Sequence, residues 1–289
     1  MTDQAQQQTS SVRRIVTIVT ETILLDIRGY SRRPNPEQLE IVVALTDRLR
    51  QMIALLTNLG RINVRELAVD PLIIGYVPTG DGAYVVLNPL YGGYGILLGA
   101  ALRNDLVLIN RKLGGRLYDG VRVAVHCGPC LAYVDITGRV NFAGEGMNDC
   151  ARILQAGDAP GFPPAFTDED FVVASSAALA CFDGLYYART NTAQRQLLQH
   201  RRSGPFTVSD KHGRRHEVHL IEMRRNMALQ PFKPVVKLSE DKRELMREIA
   251  ANRLPALHAA DSHAEEVNGE AIAGDRAQTP GAREGERNA

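Results

Sequence analysis

Apolar positions along this chain recur in two periods, and each period predicts a different kind of element. Apolar residues three and four positions apart predict helices at 35–60, 94–113, 144–154 and 175–182. Short β-rich runs between turn residues predict strands at 12–20, 22–26, 62–69, 73–79, 83–87, 121–127, 131–136, 171–173, 205–209 and 217–222. Alternating elements in the first half, followed by hairpins, predict an α/β or α+β sandwich in which helices pack against a mixed sheet.

The two ends of the chain differ in composition from its middle. Residues 1–11 are rich in Gln and are predicted to be disordered, and 12–225 carry the strands and helices of one main domain. Residues 226–254 are predicted to form a helical extension. The tail at 255–289 has almost no large apolar residues, so it cannot offset the entropy of ordering and is predicted to be disordered.

Composition narrows the classes of function. The 289 residues are 44% hydrophobic and 23% charged, with a net charge of +1. We therefore expect neither a nucleic-acid-binding surface nor a basic surface that binds membranes. The chain contains no apolar run of the roughly 20 residues that a bilayer requires, and its polar N-terminus is unlike a secretory signal. Four cysteines in a chain of this length are not a disulfide framework, so a reducing cytoplasm is expected.

Two carboxylates stand at the mouths of predicted strands. Asp26 ends an apolar run, and Asp81 lies in the Gly80-Asp81-Gly82 turn of a predicted hairpin. Burying such a group is costly unless another charge or a metal compensates it. Paired carboxylates suit Mg²⁺ or Mn²⁺ in phosphoryl transfer, although a single strand-end Asp is more often a turn or cap residue.

Three other motifs favour structural roles when taken alone. The Gly-x-Gly-x-x-x-Gly segment at 93–99 lacks the strand–turn–helix context of a dinucleotide loop, which favours close helix packing. The Cys-Gly-Pro-Cys segment at 127–130 joins two predicted strands rather than opening a helix, which favours a tight turn over a redox site. Asn148 and Arg152 project from one helix face, as solvated surface residues often do.

Four segments, in this order, resemble the catalytic domain of class III nucleotidyl cyclases. They are LLDIRGYS at 24–31, PTGDGAYVV at 78–86, VRVAVHCG at 121–128 and NFAGEGMNDCAR at 141–152, and the resemblance spans residues 20–222. It implies a mainly antiparallel sheet flanked by helices. It also implies a phosphorus–oxygen lyase that converts a nucleoside triphosphate to a 3′,5′-cyclic monophosphate and pyrophosphate.

The resemblance implies a role for each matching residue. Asp26 and Asp81, helped by the Ile27 carbonyl, would hold two divalent cations, Mn²⁺ or Mg²⁺. Asn148 would hold the ribose, and Arg152 would stabilise the five-coordinate α-phosphate. Lys211 is a candidate for the leaving pyrophosphate, and a backbone cradle for the triphosphate would be formed by Arg28, Gly29, Tyr30 and Ser31.

The resemblance also implies a homodimer with shared sites. Domains of this family pair head to tail, with the metal-binding acids from one and the Asn and Arg from the other, and this chain carries both sets. The chain departs from the family at the base pocket, where Val77 and Asn141 replace the residues that read purines. Loss of the purine-reading residues with the phosphate chemistry kept indicates altered base choice.

A compact cyclase with this pattern resembles the pyrimidine cyclases of bacterial Pycsar anti-phage systems. UTP is the favoured substrate because the Asn141 amide matches the uracil edge, although it also fits cytosine or adenine. Tyr30 and Tyr76 are candidates to stack on the base or to pack in the core.

The cyclic UMP would act on a separate effector protein. Three alternatives to a pyrimidine cyclase stay open: an adenylyl or guanylyl cyclase with an atypical pocket, a non-catalytic nucleotide-binding module and a redox protein.

Overall fold

A computed structural model describes residues 15–63, 70–115, 119–155, 171–189, 200–210, 212–223 and 235–254. Predictions for the N-terminus, for most of 62–69, for Lys211 and for the tail lie outside these residues. Within them, no helix is long and apolar enough to cross a bilayer.

The described residues form one sheet with helices on both of its faces. Its strands lie in the order β2-β3-β1-β4-β6-β8-β7, with β5 paired to β4, and every pair is antiparallel except β4–β6. The predicted α+β class with a mainly antiparallel sheet is therefore confirmed. The strands are β1 (Ile15–Arg28), β2 (Ile73–Pro78), β3 (Gly82–Leu87), β4 (Gly120–Val134), β5 (Val140–Ala143), β6 (Phe171–Ser175), β7 (His200–Ser209) and β8 (Arg215–Met223).

Helices cover the two faces unequally. The first face carries the larger buried cluster, to which β1, β3, β4 and three of the helices contribute. The second face carries the other two helices over two smaller clusters. The first-face helices are α1 (Asn35–Asn63), α2 (Gly95–Lys112) and α4 (Ser176–Arg189), and those of the second face are α3 (Glu145–Gln155) and α5 (Glu240–Ala250).

The central strand β1 decides which side chains reach each face. Side chains alternate along a strand, so Ile23 and Leu25 enter the first-face cluster while Leu24 packs under α3. The same alternation places Asp26 on the second face. The sequence predicted two separate segments at 12–20 and 22–26, but β1 is a single strand because β4 pairs with it along its whole length.

The predicted turn at 127–130 is wrong. Strand β4 continues through it, with Pro129 opposite Val19 of β1. On its other edge, β4 pairs with β6 only at 123–125 and with β5 only at 131–134, so in the described part of the chain no strand flanks that edge at Pro129. A proline is tolerated where a ladder hydrogen bond is not required.

Glu21 ties β1 to the start of α2 inside the first face. Its Oε2 accepts hydrogen bonds from the N–H groups of Gly93 at 2.7 Å and Gly95 at 3.1 Å. Its Oε1 has no hydrogen-bond partner among the described residues. Burial raises the pKa of Glu21 to about 8, the negative charge of a nearby Cys181 thiolate raises it further, and the two amide donors only partly oppose this. Glu21 therefore keeps its proton in the folded protein at neutral pH.

We expect the free energy of unfolding to fall as the pH rises from about 4.5 to about 8, because the unfolded chain loses the Glu21 proton while the folded chain retains it. The slope due to Glu21 approaches about 1.4 kcal/mol per pH unit. Urea denaturation across this range should show that Glu21→Gln removes the slope and that Glu244→Gln, at an exposed position, keeps it. Parallel curves for wild type and Glu21→Gln would contradict the prediction.

The C-terminal helix α5 is held on the second face by a buried carboxylate. Met246 and Ile249 are buried there. Asp70, just before β2, has a side chain that is only 2% exposed. It accepts hydrogen bonds from Arg247 Nε at 2.7 Å and from Arg243 Nε at 3.1 Å. Apolar burial and this ion-pair cluster together fix α5 against the sheet.

Asp70→Asn should loosen α5, because a neutral amide cannot compensate two guanidinium groups. Loss of these charged hydrogen bonds should lower the free energy of unfolding by about 1–3 kcal/mol. Hydrogen–deuterium exchange should rise in α5 while α3 stays protected. Asp47→Asn, at an exposed position on α1, is the control, and unchanged exchange in α5 would show that the carboxylate does not hold the helix.

Candidate active site

The structure brings the two strand-end acids together. Asp26 lies opposite Gly82, the residue that follows Asp81. The Ile27 N–H donates to the Asp81 carbonyl at 2.8 Å. A Cβ on Gly82 would lie 1.9 Å from the Leu25 carbonyl oxygen, so only glycine permits this close approach. The hairpin turn thus closes over the end of β1 and places both carboxylates at one mouth of the sheet.

Arg122 compensates the charge of Asp26. It is the cross-strand partner of Asp26 on β4, and its Nε donates to Asp26 Oδ2 at 2.8 Å. A second guanidinium nitrogen lies 2.7 Å from the same oxygen, and the Asp26 side chain is only 17% exposed. Asp26 is therefore a shielded, charge-paired acid at the entrance to the site.

The donor set fits a hard divalent cation. Carboxylate and carbonyl oxygens are the ligands that Mg²⁺ and Mn²⁺ prefer, and Asp26, Asp81 and the Ile27 backbone supply them. The described residues contain no cluster of three or more His, Cys, Asp or Glu side chains arranged to hold a metal. Further ligands would therefore come from phosphate oxygens of a substrate, as is usual for Mg²⁺ sites.

The predicted triphosphate cradle is a tight turn directly after β1. Gly29 has φ +76°, and a short 3₁₀ turn follows at Tyr30–Arg32. A Cβ on Gly29 would lie 2.2 Å from Asp119 Oδ2. Asp119 in turn pairs with Arg32 at 2.8 Å and with Arg33 at 3.1 Å. Arg33 also pairs with Glu37 at 3.3 Å, so two arginines and two carboxylates together fix the turn.

Arg152 is held by carboxylates of its own chain. One guanidinium nitrogen donates to Asp149 Oδ1 at 2.7 Å, and its Nε lies 3.1 Å from Asp210 Oδ2. The Arg152 side chain is 25% exposed, so it remains accessible from one side. Asn148, one helical turn earlier on α3, is exposed.

Asp210 organises the turn between β7 and β8. Burial opposes its charge, but the N–H groups of Arg214 and His212, the His216 ring and the Arg152 charge outweigh burial and lower the pKa of Asp210 to about 2. The Arg214 and His212 N–H groups donate to Oδ1 at 2.9 and 2.8 Å. The predicted phosphate ligand Lys211 lies between Asp210 and His212 but outside the described residues.

The two halves of the predicted site lie at different places in one chain. Asp26 and Asp81 lie at the β1–β3 side of the sheet, whereas Arg152 reaches the turn between β7 and β8, on the other side of β4. Asp26 is paired with Arg122, and Arg152 with Asp149 and Asp210.

The predicted base-pocket residues lie on β2 and β5, which do not pair with each other in the described sheet, and they have different surroundings. Val77 packs beside the cluster that contains Phe142 and the α5 residues. Asn141 precedes Phe142, so strand alternation turns its side chain away from that cluster. Its Oδ1 accepts the Phe142 N–H at 2.8 Å, and its side chain also hydrogen-bonds to Asp135.

Sequence reasoning missed Arg122, Asp119, Asp149 and Asp210 as parts of the site. Arg122 carried a visible signal, because it is a charged residue between apolar neighbours of a predicted strand. The partner of Arg122 could not be predicted, because neither segment alone determines the register of β1 against β4. The other three are acids of turns and helix surfaces, and nothing in their local sequence distinguishes them from solvated residues.

Solved structures of class III cyclase catalytic domains are among the structural neighbours. The adenylyl cyclase CyaB from P. aeruginosa is 13% identical, with a TM-score of 0.46 over 74% of this chain and 99% of that one. The guanylate cyclase domain of RhGC from Catenaria anguillulae, in complex with GTP, is 12% identical, with a TM-score of 0.46 over 72% and 99%. No family model and no curated protein matches the chain.

Gly29→Ala should be more destabilising than Gly213→Ala. Both glycines have φ +76°, so both substitutions carry the left-handed penalty of about 1–2 kcal/mol. Only at Gly29 does the added Cβ meet a neighbour, the Asp119 carboxylate, whereas Gly213 faces open space. Displacing Asp119 weakens its ion pairs, which adds about 1 kcal/mol. Equal losses of stability in chemical denaturation would contradict this packing of the turn.

Proposed function

We propose that this protein is a nucleotidyl cyclase that converts a pyrimidine nucleoside triphosphate, with UTP favoured, to the 3′,5′-cyclic monophosphate and pyrophosphate. The observation that carries the proposal is the convergence of Asp26 and Asp81 at one mouth of the sheet. It is supported by the tight glycine turn at Gly29 and by Arg152 on α3, both in segments that resemble class III cyclases. The cyclic nucleotide would serve as an alarm for a separate effector in anti-phage defence.

The chain's own residues account for binding and charge stabilisation in this reaction. Asp26 and Asp81 would hold two divalent cations, which when bound supply Lewis-acid activation of the 3′-hydroxyl and of the phosphates. The 3′-oxygen loses its proton and bonds to the α-phosphorus as the bond to pyrophosphate breaks. Arg152 spreads the charge that develops on the α-phosphate oxygens, and Asn148 orients the ribose. Arg122 pairs with the Asp26 carboxylate and aligns it.

Two chains would build each site. In one chain the acids lie at the β1–β3 side, while Arg152 pairs with Asp210 in the turn between β7 and β8. A head-to-tail homodimer would bring the Arg152 of one chain opposite the Asp26 of the other, in two equivalent sites. Asp149 and Asp210 would act as positioning residues, since they fix the guanidinium before substrate arrives.

Base choice would rest on a pocket without the purine-reading residues. Val77 presents an apolar wall beside α5, which favours a small base edge. The Asn141 amide offers both a donor and an acceptor, which matches uracil. Its present bonds to Phe142 and Asp135 leave part of this capacity for a base.

Incubation of the purified protein with each of four labelled nucleoside triphosphates and Mn²⁺ tests the activity. The expected result is cyclic UMP and pyrophosphate from UTP, with less product from CTP and little from ATP or GTP. Cyclic AMP or cyclic GMP as the main product would instead indicate a purine cyclase with an atypical pocket. Binding without pyrophosphate release would indicate a non-catalytic module and would overturn the proposal.

Arg152→Ala should lower kcat by about 100-fold or more, because a transition-state charge loses its partner. Mn²⁺ binding should not change, since the guanidinium of Arg152 is not a metal ligand. Arg48→Ala is the matched control, because that arginine on α1 is similarly exposed and pairs with Asp105. Asp210→Asn should give a smaller loss in kcat with little change in KM. Near-normal turnover by Arg152→Ala would refute the assignment of α3.

A further inference from the structure

The two cysteines of the Cys-Gly-Pro-Cys segment cannot act as a pair. They lie on one continuous strand and are three positions apart, so their side chains point to opposite faces of the sheet. Cys127 packs beside the first-face cluster. Cys130 is buried in the second-face cluster, where its sulfur lies 3.3 Å from the Thr22 hydroxyl.

The thiol partner of Cys127 is instead Cys181, on helix α4. The two thiol groups lie close enough to interact with each other, and both residues are half-buried. By contrast, Cys130 and Cys150 are buried on the second face. Strand β4 and helix α4 are distant in sequence, so sequence spacing could not have predicted this pair.

The surroundings hold the two thiols in place. Glu21 is the cross-strand partner of Cys127 on β1. Its carboxyl group binds the N–H of Gly93 at 2.7 Å. A Cβ on Gly93 would lie 2.6 Å from the Cys181 carbonyl oxygen, so α4 is seated directly against this glycine. Strand, loop and helix therefore converge on the thiol pair.

We propose that Cys127 and Cys181 form a dithiol that a hydroperoxide oxidises to a reversible disulfide. In the first step the Cys181 sulfur attacks one peroxide oxygen and the O–O bond breaks. A sulfenic acid forms, and the other oxygen leaves with the thiol proton as water from hydrogen peroxide or as an alcohol from an organic hydroperoxide. In the second step the Cys127 sulfur attacks the sulfenic sulfur, the S–S bond forms, and the hydroxyl leaves as water with the Cys127 proton. Two thiols lose two electrons and two protons, and one hydroperoxide is reduced.

The ionisation of the pair supports Cys181 as the nucleophile. The hydrogen bond from Cys127 lowers the pKa of Cys181 to about 7, although burial opposes this. The same hydrogen bond, followed by burial, raises the pKa of Cys127. A thiol with a pKa near neutrality combines thiolate population with nucleophilicity.

Thiol titration and peptide mapping of the full chain test the proposal. Hydrogen peroxide should remove two of the four titratable thiols, and a thiol reductant should restore them. Trypsin leaves Cys127 and Cys130 together in the peptide 123–139 and Cys181 in the peptide 153–189. The expected product is therefore a cross-link between two peptides, whereas a Cys127–Cys130 bond would stay within one.

Cysteine variants test which sulfur atoms form the disulfide and which one reacts with the peroxide. Cys130→Ser should still lose two thiols and give the cross-linked peptides, while Cys127→Ser and Cys181→Ser should give no cross-link. In Cys127→Ser the sulfenic acid should be trapped on Cys181 by dimedone. Wild-type protein that keeps four thiols, or a cross-link that Cys130→Ser abolishes, would overturn the proposal. Because the wild-type and Cys130→Ser experiments decide this, the outcome does not depend on the folding of the other variants.

Discussion

The pairing of β1 with β3 on one edge and β4 on the other is the constraint on which the remaining structure depends. Alternation along β1 sends Glu21 into the first face and Asp26 to the second. The β3 register brings Asp81 to the end of β1, and the β4 register supplies Arg122 as a counter-charge. A slip of one residue in either register would bury Asp26 among the helices without a partner.

The same constraint explains why the two halves of the proposed site stay apart in one chain. Carboxylate–arginine pairs on the second face include Asp26 with Arg122, Asp210 with Arg152, and Asp70 with Arg243 and Arg247. The first pair fixes the acid at the end of β1, the second fixes the arginine proposed to stabilise the transition state, and the third fixes helix α5. In a two-chain site, the partner subunit would have to place its Arg152 opposite Asp26 of this chain, next to the surface on which α5 packs.

Elements with a strong local pattern could be predicted from the sequence. The helices near α1, α2 and α3 follow from their periodicity, and the β2–β3 hairpin follows from Gly80-Asp81-Gly82. The sequence prediction wrongly divided β4 into two strands, because Gly128-Pro129 is normally a turn signal. Only the positions of the strands beside β4 show that a proline is tolerated there. The contacts Asp26–Arg122, Arg152–Asp210 and Cys127–Cys181 depend on strand register and helix placement, which no local segment encodes.

The most direct test of the shared site is complementation between two inactive variants. Asp26→Asn lacks a metal-binding acid, and Arg152→Ala lacks the phosphate-stabilising arginine, so each homodimer should be inactive. After the two are mixed and allowed to exchange subunits, half of the dimers should contain one intact site, and about a quarter of wild-type cyclase activity should return. A mixture that stays inactive although subunit exchange is demonstrated would contradict the two-chain site.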